Sequence, residues 1–117
     1  MPSGSPQEPF KRISAKECAE MLKKGNVALI DVRNPNEYIA AHIKGSVLIP
    51  VDELYGRIDE VPEGEPIIFH CAVGVRSALA CEIGAAMGRA ECYNMEGGMD
   101  AWKASSLPFE TGAYKKK

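Results

Sequence analysis

Apolar residues gather along the chain in short runs of two alternating kinds. Ser14-Ala-Lys-Glu17 has the form of a capping box, in which each side chain satisfies a backbone N–H that a helix start leaves open. Cys18, Met21 and Leu22 continue it as a stripe at helical spacing, and Gly25 stands where a C-terminal cap belongs. Val27 to Val32 is nearly continuous in apolar character and short enough for a buried strand. Asn34 and Pro35 then suit an N-cap and a first helical position, which predicts a short helix to about Ala41. Val47 to Ile49 reads as a second strand, stopped by Pro50, and Val51, Leu54, Tyr55 and Ile58 carry helical spacing up to Pro62. Pro66 to Phe69 is a third strand. The stretch from Ser77 to Met87 is apolar on nearly every face, which predicts a helix lying against a sheet and ended by Gly88. Cys92 to Met95 is a further strand, and Gly98 to Ala104 a last helix holding Trp102, expected in the core.

Strands that alternate with helices imply an α/β protein with a parallel sheet, because parallel strands need crossover connections and both sheet faces need cover. In such sheets ligands bind beyond the carboxyl ends of the strands. Asp31 and Cys71 are each the first functional group after an apolar run and fall at those ends. No internal repeat or linker interrupts residues 10–112, which we read as one domain. Residues 1–9, rich in Pro, Ser and Gly, read as a disordered leader, and residues 113–117 as a solvated basic tail.

Composition narrows the function. A net charge of -2 over 117 residues argues against a nucleic-acid binder, which would present a basic face. No apolar stretch approaches the roughly 20 residues that span a bilayer, and no secretory signal is visible, so a cytoplasmic protein without a membrane partner is expected. The four cysteines, Cys18, Cys71, Cys81 and Cys92, show no C-x-x-C pair and no spacing suited to zinc. Free thiols and no bound metal are the expectation.

One segment carries chemistry: His70-Cys71-Ala72-Val73-Gly74-Val75-Arg76-Ser77. A cysteine leaves a buried strand, a short loop follows, and a helix begins near Ser77. Such a loop can curl its backbone N–H groups around one point as an anion nest, and the helix N-terminus adds roughly half a positive charge directed at the same place. Both favour thiolate over thiol. Gly74 permits a positive φ, and Arg76 supplies a fixed charge. A lone cysteine is ordinarily a small buried hydrophobe, and for Cys18, Cys81 and Cys92, on apolar helix faces or in a strand, that reading wins. For Cys71 the strand end, the nest and the helix start together reverse it.

Cys71-Ala-Val-Gly-Val-Arg76-Ser77 resembles the active-site loop of single-domain rhodaneses, C-x-x-G-x-R-S. Leu29-Ile-Asp31-Val-Arg33, Glu37-Tyr38, His42-Ile43-Lys44-Gly45-Ser46 and Ile49-Pro50 are similar to that family's N-terminal signature, and Gly97-Gly98-Met-Asp-Ala-Trp102 with Leu107-Pro108 to its C-terminal one. The resemblance runs from about Ile13 to Gly112. It implies a three-layer α/β/α fold with a five-stranded parallel sheet in the order 1-5-4-2-3, the first strand supplied near Phe10 to Ile13. It also implies a sulfurtransferase in which Cys71 holds a sulfane sulfur as a persulfide, cradled by the N–H groups of residues 72 to 77. That sulfur comes from thiosulfate or a persulfide donor and passes to cyanide, a thiol or a partner protein, with no cofactor.

The remaining residues receive smaller roles. Asp31 and Arg33 are expected to support the strand end, holding the loop or pairing with Glu37. His42 braces backbone. His70 precedes the nucleophile in an extended segment and so points to the opposite face, a poor position for a general base. Two rival functions stand beside the sulfurtransferase. Phosphatases and arsenate reductases of the related fold also set a cysteine before a nest and an arginine, but with five residues between them, where Cys71 and Arg76 enclose four. A sulfur carrier or binding module without turnover would keep the same loop.

Overall fold

The apolar runs become the five strands of one parallel sheet, β1 Lys11–Ile13, β2 Ala28–Asp31, β3 Val47–Leu48, β4 Ile67–His70 and β5 Cys92–Met95, in the order β1-β5-β4-β2-β3. The computed structural model describes residues 8–116, so most of the expected leader and Lys117 of the tail lie outside the described residues. Between the strands stand α1 Ala15–Lys24, α2 Pro35–Ala40, α3 Val51–Leu54 with a 3-10 continuation Tyr55–Glu60, α4 Val75–Ala86 and α5 Gly98–Ala104. The Ser14–Glu17 capping box forms as expected, and Gly25 caps α1 with φ 82°.

Side-chain alternation along the strands divides the core in two. Ile30, Ile67 and Phe69 face Leu54 of α3 and Ala80 and Cys81 of α4. Leu29, Ile68 and Met95 face Cys18 of α1 and Met99 and Trp102 of α5. The three-layer α/β/α architecture and its strand order therefore match the sequence expectation, and Trp102 is core, its indole N–H donating to the Pro108 carbonyl at 2.8 Å. Among the described residues no helix is long and apolar enough to cross a membrane.

Two local departures have physical causes. The segment after Pro50 is one α-turn followed by 3-10 helix, broken by the non-helical φ of Arg57 at -116°, where a single helix was expected. The helix after Cys71 begins at Val75, two residues before the expected Ser77, because Gly74 adopts φ 101° and serves as its N-cap. The loop proper shrinks to residues 71–74, and Arg76 and Ser77 stand in the first helical turn. The C-terminal segment also folds back. Tyr114 meets Tyr38 edge-on with ring centroids 5.4 Å apart, and Lys116 lies 3.6 Å from Glu60, although Lys115 and Lys116 remain exposed as a solvated tail would be.

Candidate functional site

Central strand β4 ends at His70, and the next residue, Cys71, is only 1% exposed. Its sulfur accepts the Gly74 N–H at 3.1 Å and the Ser77 N–H at 3.4 Å, and the Ser77 hydroxyl stands 3.4 Å away. Burial pushes the Cys71 thiol up. Hydrogen-bonding contacts with Ser77, Gly74 and Val73 pull it down and prevail, leaving it below the ordinary thiol value. The other three cysteines are buried without such a ring. Burial pushes Cys18 up to about 12 and Cys92 up to about 11, and raises Cys81 as well. All four are free. The structure thus separates one sulfur whose pKa is drawn down from three whose pKa is raised.

The loop is held from behind by α5. Met99 N–H donates to the Cys71 carbonyl at 2.8 Å and Asp100 N–H to the Ala72 carbonyl at 3.1 Å. This approach is so close that a Cβ on Gly98, which has φ 53°, would stand 2.3 Å from the Cys71 carbonyl oxygen. Gly98 of the C-terminal signature is therefore part of the site's frame. From β5, buried Asn94 donates its amide to the Gly74 carbonyl at 3.2 Å and accepts the Ser77 hydroxyl at 2.6 Å. Asn94 was not singled out from sequence. The available signal was a lone amide in a strand otherwise expected to be buried.

Arg76 is not a free cation. Its guanidinium donates to both carboxylate oxygens of Glu37, at 2.7 and 2.9 Å. Glu37 also accepts the Asn34 N–H at 3.0 Å through the capping box of α2. The Arg76 hydrogen bonds, working against burial, hold the Glu37 carboxyl down at about 2, so the pair stays ionised across the physiological range. Beside this pair the loop exposes two apolar side chains, Val73 at 57% and Val75 at 74%.

The pairing of Asp31 or Arg33 with Glu37 does not occur, since Arg76 occupies that carboxylate. Asp31 and Arg33 instead bind one another at 2.9 and 2.7 Å, and Arg33 donates to the Ala41 carbonyl at 2.7 Å, tying the end of β2 to the end of α2. His42 braces backbone as expected, its Nδ1 2.9 Å from the Tyr38 carbonyl and its ring stacked on Tyr38. His70 is fully buried beside Asp31 in the register between β2 and β4. Burial lowers its pKa, with Asp31 opposing, so the ring stays neutral behind the strand.

These features define a class: a doubly covered parallel α/β domain whose central strand delivers a cysteine into a ring of N–H groups. The chain belongs to the rhodanese-like domain family, whose model matches residues 14–105. It is 35% identical over 96 residues to the thiosulfate sulfurtransferase GlpE of Pseudoalteromonas translucida, covering 82% of this chain and 91% of that protein. Among solved structures, a rhodanese-related protein of Thermoplasma volcanium superposes with a TM-score of 0.79 at 30% identity, over 86% of this chain and 98% of the other. A protein of Rhodopseudomonas palustris described as a possible tyrosine phosphatase superposes at 0.80 with 25% identity, over 94% and 99%.

Proposed function

We propose that the protein is a sulfurtransferase that works by a ping-pong route through a Cys71 persulfide. The Cys71 thiolate attacks the outer sulfur of a donor R–S–S⁻ or of thiosulfate. A new S–S bond forms as the donor's bond breaks, and thiolate or sulfite leaves with the electron pair. The terminal sulfur carries the negative charge and lies among the loop's N–H groups, which are strong donors to an anion. A thiophilic acceptor, such as cyanide, a thiol or a protein thiol, then attacks that sulfur and regenerates the thiolate. No cofactor enters these steps, and four free thiols suit a reducing compartment such as the cytoplasm.

The observation that carries this reading is the contrast among the cysteines: Cys71 alone is held below the ordinary thiol value while Cys18, Cys81 and Cys92 are raised. Against a phosphatase stand the four residues between Cys71 and Arg76 and the bidentate capture of Arg76 by Glu37. A phosphoryl group needs several oxygens satisfied at once, and the arginine that would hold two of them is engaged. The deciding experiment is mass spectrometry of the protein after thiosulfate or cysteine persulfide. One sulfur atom should be added on the Cys71 peptide and removed by cyanide as thiocyanate. Hydrolysis of a small aryl phosphate without any sulfur adduct would replace this reading with the phosphatase.

The Glu37–Arg76 pair also predicts donor preference. Glu37→Gln removes a carboxylate from the mouth and releases the Arg76 charge. The KM for dianionic thiosulfate should then fall about fivefold, the scale of a partly exposed ion pair. Arg76→Ala should raise it by a similar factor. With an uncharged donor both variants should stay near the parent. Equal losses with every donor would mean that the pair shapes the loop and does not select charge.

A further inference from the structure

Behind Cys71 three groups form a chain whose hydrogen-bond directions are fixed by chemistry. The Gly74 carbonyl only accepts, so Asn94, fully buried on β5, must turn its NH2 toward it, at 3.2 Å. That leaves the Asn94 Oδ1 facing the Ser77 hydroxyl at 2.6 Å. Oδ1 also only accepts, so the hydroxyl must donate to it. A hydroxyl has one proton, and Ser77, itself fully buried, therefore presents lone pairs to the Cys71 sulfur 3.4 Å away.

Three states of the sulfur respond differently to that arrangement. A thiol satisfies it by donating its S–H to the Ser77 oxygen. In a persulfide the inner sulfur is divalent and uncharged, so it needs no donor, and the charge sits on the outer atom. A free thiolate does need a donor. It obtains the Ser77 proton only if the hydroxyl swings away from Asn94 and leaves a buried Oδ1 unpaired, which is costly. We propose that Asn94 is a positioning residue which, by holding the Ser77 proton, disfavours the empty thiolate and so tilts the site toward its sulfur-loaded form. The part concerning the loaded form rests on the persulfide reading above, and the part concerning the thiolate does not.

The charged groups near the loop are Arg76 of α4 and Glu37 of α2, with Asp100 of α5 beside Ala72 and neutral His70 behind the strand. None of these changes when Asn94 is replaced, so they drop out of a comparison between variants.

The test is the sign of a shift. Asn94→Leu keeps the volume and removes both polar atoms. A merely structural role would loosen the Gly74 turn, weaken the N–H ring and raise the Cys71 thiol pKa. The positioning role frees the Ser77 proton for the sulfur and lowers it, by about one unit or tenfold in thiolate below the pKa. The readout is the pH dependence of Cys71 alkylation by iodoacetamide, followed on the Cys71 peptide. It is measured in the parent, Asn94→Leu, Ser77→Ala and the double variant. The lowering should vanish in the Ser77→Ala background. Asn94→Ala, which carries no steric load, serves if the leucine variant does not fold. At a fixed ratio of thiosulfate to sulfite, and a pH above the thiol pKa, the ratio of persulfide to empty Cys71 should also fall about tenfold. A raised or unchanged pKa, or an equal lowering without Ser77, overturns the role of Asn94. A parent protein that takes up no sulfur overturns the persulfide reading, while the alkylation series still decides the thiolate part.

Discussion

Replacing Cys71 with serine is expected to abolish sulfur transfer, by at least about a thousandfold, while the protein remains folded. A serine oxygen cannot form the sulfur–sulfur bond on which the covalent step depends, and no neighbouring thiol can substitute. Cys18, Cys81 and Cys92 are buried and raised well away from thiolate, and none stands in a ring of N–H groups. The fold should survive because the replacement is nearly isosteric and a hydroxyl can use the same Gly74 and Ser77 N–H groups. A change within about 1 kcal/mol by thermal or denaturant unfolding is the expectation. Transfer assayed with thiosulfate and cyanide, together with loss of the sulfur adduct, checks both halves. Substantial activity in this variant, or its loss only on replacing Cys81 or Cys92, would move the site elsewhere.

Gly98→Ala should have the largest effect of any substitution outside the loop, although residue 98 contributes no functional group. At φ 53° an alanine is strained, and its Cβ would stand 2.3 Å from the Cys71 carbonyl oxygen and 2.6 Å from the Ala72 carbonyl carbon and oxygen. Those atoms are backbone, so the loop itself must move. The bonds from Met99 and Asp100 to the same carbonyls would then be lost or bent. A loss of about 3 kcal/mol in stability is expected, from overpacking and strain together. A fall of about a hundredfold in kcat/KM should accompany it, because a displacement near 1 Å spoils a site built on fixed donors. Gly45→Ala is the matched control. Its φ of 87° is equally strained, but the added Cβ meets nothing within 4 Å. It should lower stability modestly and leave the activity of the folded protein unchanged. If the two variants lost activity alike, backbone strain in general, and not the approach of α5 to the loop, would be responsible.

Local signals carried most of the fold. The Ser14–Glu17 capping box, the Pro35 helix start, the stop at Pro50 and the strand Cys92–Met95 all depend on residues within a few positions of one another. Such interactions are decided before the chain is compact, and a sequence displays them directly. The position of the proposed nucleophile was legible for a related reason. A cysteine at a strand end, followed by Gly74 and a helix, brings its nest from adjacent residues, so the contacts to its sulfur come from positions 73, 74, 76 and 77. The strand order came from resemblance, because no local pattern states which strands become neighbours.

What the tertiary structure decided spans long separations. Arg76 reaches across 39 residues to Glu37, and with that pairing the single loop cation ceases to be a free anchor for a dianion. Sequence offered the strand-end residues Asp31 and Arg33 as partners for Glu37, and Asp31 took Arg33 instead. Asn94 lies 17 positions from Ser77 and 20 from Gly74, yet its amide bridges the two behind the sulfur. Gly98 is a plain glycine of a signature until the packing of α5 brings its Cα against the Cys71 carbonyl. Periodicity and spacing report which face a side chain takes within its own element. The partner it meets is fixed by which elements the sheet places side by side, and charges, amides and close backbone approaches acquire their meaning only there.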